Sequence, residues 1–98
     1  MTEGAEGAEG AEDVVLYWRP GCLFCMKLRA QLRFTDLRFR RVNIWRDSTA
    51  AAFVRSVADG NETVPTVSVA GHALVNPSKR QLLDAIRTYA PHALEKES

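Results

Sequence analysis

Val14-Val15-Leu16-Tyr17-Trp18-Arg19-Pro20-Gly21-Cys22-Leu23-Phe24-Cys25 is the stretch on which the reading of this 98-residue chain turns. Its first five residues form an apolar run that reads as a buried strand. Arg19-Pro20-Gly21 is a turn, and a helical pattern follows from Leu23 to about Phe34. The chain's two cysteines lie at the mouth of that helix, three positions apart and so on one face of its first turn. Cys22 falls at the N-terminal end, where free backbone N–H groups and the helix dipole favour an anion. A thiolate is the nucleophile of thiol–disulfide exchange. Cys22 is therefore placed to attack a disulfide, and Cys25, one turn inside, to attack a mixed disulfide formed on Cys22.

Two other uses of a cysteine pair fit less well. A structural disulfide here closes too short a loop to constrain much unfolded chain. A zinc site needs four ligands, and the remaining donors of the usual kind, His72 and His92, are 20 residues apart in sequence rather than at a His-x₃₋₅-His spacing. No metal is expected. The strand before the motif and the helix after it favour redox use.

Around this centre the composition bounds the rest. The length suits one domain. Residues 1–13 read as a disordered acidic tail: Glu-Gly-Ala occurs three times, ending in Glu12-Asp13, and glycine at every third position opposes a helix. The tail lacks the basic start and apolar core of a secretory signal, and no stretch is long enough to span a membrane. It holds five acids and no base, while the other 85 residues carry 13 Lys and Arg against seven acids, a surplus of six positive charges. The bases are scattered and without a binding motif, so nucleic acid is not expected; the surplus reads as a solvated surface with an intramolecular acidic counterweight. Two cysteines and no export signal point to a reducing compartment, the cytoplasm, and to transient disulfides. Removal of residues 1–13 should leave the fold intact, since the tail offers no core residue.

Further along, Leu37–Ile44 reads as a second strand, with Phe39, Val42 and Ile44 between Arg38, Arg40 and Arg41. Asp47-Ser48-Thr49 caps a helix over Ala50–Ala58, and Gly60 is its left-handed terminator. Thr63–Val69 is a third strand, Ala70-Gly71 a tight turn, and His72–Val75 a returning fourth strand. Asn76-Pro77-Ser78 leads into a last helix over Lys79–Tyr89, stopped by Pro91. The apolar face of the first helix is read as Met26, Leu28, Ala30 and Leu32. Residues 91–98 are expected to be a flexible end, with His92 frayed. The order β-α-β-α-β-β-α gives an α/β fold, a mixed four-stranded sheet with helices on both faces.

That order, with Cys-x-x-Cys after strand one and Thr63-Val64-Pro65 opening strand three, resembles the thioredoxin fold in its glutaredoxin form over residues 14–90. Tyr17-Trp18-Arg19-Pro20-Gly21-Cys22 is similar to the family's Tyr-x-Lys/Arg-x-x-Cys, and Phe24 stands where an aromatic usually precedes the second cysteine. Gly60-Asn61-Glu62-Thr63-Val64-Pro65-Thr66-Val67 and Leu74-Val75-Asn76-Pro77-Ser78 most resemble mycoredoxins, the actinobacterial members that use mycothiol. The resemblance implies a cis Val64–Pro65 bond facing the cysteines. It also implies a substrate site at Arg19, Phe24, Thr63, Val64, Pro65 and Ser78. Trp18 lines a groove or belongs to the core; Lys27 and Arg46 steer an anionic thiol or serve solubility. Many glutathione-using members have an Asp near the start of the last helix, where this chain reads Asn76-Pro77-Ser78-Lys79.

The activity so implied is reduction of protein disulfides or mixed disulfides by Cys22 and Cys25. The expected cosubstrate is a low-molecular-weight thiol, mycothiol rather than glutathione, with no bound cofactor. Expected partners are disulfide-containing or S-thiolated proteins, the small thiol and a thiol–disulfide reductase, with the protein a monomer. Three alternatives stay open: a thioredoxin-reductase-linked donor to ribonucleotide reductase, a thiol-ligated [2Fe–2S] binding module, and a redox-sensing interaction protein.

Overall fold

A computed structural model describes residues 5–6, 13–33, 35 and 37–94. Apart from Ala5, Glu6 and Asp13, the tail expected over 1–13 lies outside the described residues, as does Phe34. The elements run β1 (Ala5–Glu6), β2 (Val14–Trp18), α1 (Leu23–Leu32), β3 (Arg40–Asn43), α2 (Ser48–Val57), β4 (Thr66–Val69), β5 (His72–Val75) and α3 (Lys79–Tyr89). The sheet order is β1-β3-β2-β4-β5. β2 and β3 are parallel, as a β-α-β crossover requires, and the other pairs are antiparallel. The four expected strands are all present. Ala5–Glu6 adds a fifth at the β3 edge, pairing Ala5 with Val42 and Glu6 with Arg41. An open edge offers unpaired backbone groups, and even two residues of otherwise unpatterned chain can take them.

Alternation along the strands separates two cores. On one face Val14, Leu16, Val67 and Val69 pack with Leu28 and Leu32 of α1 and Leu82 and Ile86 of α3. On the other, Val42, Ile44 and Val64 pack with Ala50, Ala51 and Val54 of α2 and with both cysteines. The buried side of α1 is Cys25, Leu28 and Leu32, not the set expected: Met26 and Ala30 are exposed. Spacing of three and four selects 25, 28 and 32 once cysteine is counted as apolar.

The chain's end also departs from expectation. Pro91–Ala93 forms a single 3₁₀ turn, and Leu94 bridges antiparallel to Leu37. Ala93 and Leu94 are buried and belong to the core, so this part of the expected flexible end is packed, while Pro91 and His92 stay exposed. His92 is exposed but meets the Asp13 carboxylate at 2.6 Å, while the Asp13 carbonyl accepts from the Ala70 N–H at 2.6 Å. Leu37 is thereby taken from the second strand, whose ladder begins only at Arg40.

Each helix start is fixed by a side chain. Asp47 accepts from the Ala50 N–H at 3.0 Å. Ser78 accepts from the Gln81 N–H at 3.1 Å, and the Gln81 amide oxygen accepts from the Ser78 N–H at 2.9 Å, a complete capping box. Ala70 and Gly71 turn β4 into β5 with φ of 49° and 88°. Ser78→Ala is expected to lower stability by about 1 kcal/mol, read as a lower urea midpoint at unchanged slope.

Candidate active site

The turn Arg19-Pro20-Gly21 ends β2 and delivers Cys22 as the N-cap of α1, with extended backbone at φ −86° and ψ 109°. Gly21, at φ 79°, takes a conformation that a side chain would strain. As N-cap, Cys22 does with sulfur what serine does with oxygen: its Sγ accepts from the Cys25 N–H at 3.2 Å. The same Sγ lies 3.6 Å from the Val64 carbonyl, to which its S–H can donate. Val64–Pro65 is a cis peptide, as the resemblance implied, and it stands opposite the helix mouth. Among the described residues both cysteines are free thiols.

The two thiols differ in setting. Cys25 is fully enclosed at 1% exposure, with Cys22 slightly more open at 6%. Burial, and then the hydrogen bond to Cys22, push the Cys25 thiol up to about 12, against smaller opposing contributions from the backbone and charge of Arg19. Cys25 is therefore held protonated at neutral pH. A consequence follows for stability. The unfolded thiol, near 9.0, loses its proton at a pH where the folded one keeps it, so the unfolded state binds fewer protons. Stability of the reduced protein should fall as pH rises above the unfolded value, by up to about 1.4 kcal/mol per pH unit. Urea midpoints of the reduced wild type at about pH 8 and about pH 10 should differ by more than those of Cys25→Ser.

Beside the cysteines runs a groove of about 270 Å³ whose walls include Phe24, Lys27, Pro65, Asn76, Ser78 and Lys79. Of the expected substrate residues, the fold thus brings Phe24, Pro65 and Ser78 together, with Val64 at the cysteine end. Arg19 and Thr63 do not line this groove. Arg19 acts on Cys25 from the turn, and the Thr63 carbonyl is occupied by the Thr66 hydroxyl at 2.7 Å. Trp18 packs against the α2-side core with Arg29 over its ring at 5.3 Å, and its buried indole N–H has no hydrogen-bond partner among the described residues. Arg46 is exposed away from the groove. Gln31 and Gln81 also line it and were not singled out in the sequence. Their signal was spacing: Phe24, Lys27 and Gln31 share one stripe of α1, and Gln81 is the third residue of a helix begun by Ser78.

A cysteine capping a helix start, a second buried cysteine one turn on and a cis-proline facing them, all on a mixed sheet, are the arrangement of the thioredoxin class of fold. The comparisons with known proteins narrow this. The glutaredoxin family model matches residues 14–74. Glutaredoxin-type proteins from two strains of Mycobacterium tuberculosis are 39% identical over 66 residues, covering 66% of this chain and 79% of theirs. Among solved structures, a thioredoxin-like protein superposes with TM-score 0.69 at 17% identity, covering 78% of this chain and 96% of its own. The holo form of a glutaredoxin from Populus tremula x tremuloides gives 0.57 at 18%, covering 88% of this chain and 86% of its own. The chain belongs to the glutaredoxin family, and its general chemistry is thiol–disulfide oxidoreduction. Among the described residues, no helix is long and apolar enough to cross a membrane.

Proposed function

We propose that the protein reduces mixed disulfides between proteins and a low-molecular-weight thiol in the cytoplasm, with mycothiol as the preferred cosubstrate. The observation that carries the first part is the asymmetry of the thiols. Cys22 caps the helix and accepts the Cys25 N–H, whereas Cys25 is buried and held protonated. The Cys22 thiolate attacks the sulfur of the small thiol. The protein–thiol S–S bond breaks, the protein sulfur leaves as thiolate and takes a proton from solvent, and a new S–S bond joins Cys22 to the small thiol. A second molecule of small thiol, as thiolate, then attacks the outer sulfur. It leaves as the oxidised small-thiol disulfide and returns Cys22 to its reduced form. Resolution by Cys25 instead requires that its proton first be lost, which its burial opposes.

The groove supports the choice of thiol. Its floor by the last helix is Asn76, Pro77, Ser78 and Lys79, with Lys27 opposite. Among the described residues no carboxylate lines it to meet the α-ammonium of glutathione, and its amides and hydroxyl suit a polyhydroxyl sugar. In this reading the Ser78 hydroxyl, which already accepts a backbone N–H, still has its proton to donate. The test is one assay of the purified protein on an S-thiolated substrate, with mycothiol, glutathione, and thioredoxin reductase plus NADPH supplied separately. Mycothiol is expected to give the fastest turnover. Faster turnover with glutathione would overturn the thiol assignment, and efficient reduction by the reductase alone would make the protein a thioredoxin-like donor.

A further inference from the structure

One wall of the groove beside the cysteines is tied together from the cysteine end to the first turn of α3. Cys22 Sγ lies 3.6 Å from the Val64 carbonyl. The Asn76 N–H donates to the Pro65 carbonyl at 2.8 Å, and Ser78 and Gln81 hold each other in the capping box. The opposite wall is the α1 stripe Phe24, Lys27 and Gln31, which advances about 10 Å along the helix. On the proposed function, a small thiol joined to Cys22 lies between these walls, and Gln81 stands at the end far from the sulfur.

The fold decides what Gln81 offers to a ligand. A free amide side chain has an acceptor oxygen and a donor nitrogen and can turn either outward. Here Oε1 accepts the Ser78 N–H at 2.9 Å, which orients the amide and leaves Nε2 to meet a ligand. Ser78 Oγ likewise accepts the Gln81 N–H at 3.1 Å and has its proton to give. Lys79, between them, also lines the groove and carries an ammonium. The side chains of this turn therefore present donors. Hydroxyl, amide and carboxylate oxygens are matched there, and an ammonium is not.

We propose that Gln81, through the amide that its own helix cap orients, determines which small thiols the groove accepts: those that end in hydroxyl, amide or carboxylate oxygens rather than in a free ammonium. This deepens the proposed function and rests on its placing a small thiol in this groove, though not on that thiol being mycothiol.

Gln81→Glu is the discriminating change. A capping box takes Glu or Gln at this position, so one carboxylate oxygen keeps the Ser78 N–H while the other puts a charged acceptor where Nε2 was a donor. The urea midpoint should match that of the parent protein. The readout is an exchange equilibrium in full-length proteins that all carry Cys25→Ser, so that the adduct on Cys22 persists. Each protein is equilibrated with equal amounts of glutathione and glutathione acetylated on its α-amine, together with the disulfides of both, and the two Cys22 adducts are counted by intact mass. One small thiol displaces the other from Cys22: one S–S bond breaks, another forms, and nothing is oxidised or reduced overall. Intrinsic differences between the two thiols cancel when proteins are compared. Gln81→Glu is expected to shift the ratio toward the unacetylated adduct by about threefold or more, a modest factor because the residue is exposed. Arg80→Gln removes a positive charge from the same turn at a residue that does not line the groove, and should leave the ratio unchanged. A ratio unmoved by Gln81→Glu, or moved as far by Arg80→Gln, overturns the inference. The equilibrium needs no turnover, so an unmoved ratio beside fast turnover with mycothiol removes Gln81 alone, and slow turnover with mycothiol beside a shifted ratio removes mycothiol alone.

Discussion

Cys22→Ser is expected to lower the reduction of mixed disulfides by at least about a thousandfold, because on the proposed mechanism it removes the attacking sulfur. A serine at this position preserves the cap: its oxygen can accept the Cys25 N–H that the Cys22 sulfur now accepts at 3.2 Å. The loss should therefore appear in turnover with little change in melting temperature, which separates chemistry from folding. Cys25→Ser should behave differently. Its thiol is buried and held protonated, so it contributes little to the small-thiol route, and much of the activity should remain. The contrast is read in one assay with saturating small thiol. Comparable loss in both variants would mean that Cys25 resolves the intermediate after all.

The largest effect on stability is expected at Leu82, which is wholly buried where α3 meets the sheet. Leu82→Ala should cost about 2–5 kcal/mol, the usual range when a buried leucine is cut back and the cavity only partly closes. The same helix begins at Ser78 and Lys79 on the wall of the groove by the cysteines. A loosened α3 should therefore raise the KM for the small thiol while leaving the reactivity of Cys22 toward a small alkylating agent unchanged. By contrast Leu23→Ala, at a residue 75% exposed, should change stability by no more than about 0.5 kcal/mol. Urea unfolding of the two variants beside the wild type checks both values.

Which parts of this were legible in the sequence follows from how locally each was encoded. β5 and α3 were read to the residue because their boundaries are carried by adjacent side chains: Ala70-Gly71 makes the turn, Ser78 the cap and Pro91 the stop. The cysteine pair was legible for the same reason, since the turn, the helix mouth and both sulfurs lie within seven residues. What needed distant partners was missed. Leu37 carries a strand-like pattern but pairs with Leu94, 57 positions away, and that contact turns an expected loose end into core. Asp13 belonged by composition to the acidic tail, yet it is tied to Ala70 and His92. The first helix misled because Met26 and Ala30 look apolar while the buried partner of Leu28 and Leu32 is a cysteine. The groove was half legible: Asn76, Pro77 and Ser78 stood out, whereas Gln31 and Gln81 acquire their meaning only when α1 and α3 are set side by side.

The same separation of local and distant encoding bears on the residues expected to bind substrate. Phe24 and Pro65 were placed by likeness to the family motif, and the fold sets both on one groove. Arg19 and Thr63 sit in the same motifs but face other tasks, the first beside Cys25 and the second as acceptor for the buried Thr66 hydroxyl. A motif therefore located the neighbourhood, and the packing around it divided the work.

The most direct measurement is the mass of the Cys25→Ser protein after a single turnover on an S-mycothiolated substrate, quenched with acid before further thiol is added. The account predicts one small-thiol adduct, located by peptide mapping on Cys22, with the substrate protein released as a free thiol. A Cys22–protein mixed disulfide with the small thiol set free, or an unmodified Cys22 beside a reduced substrate, would contradict it.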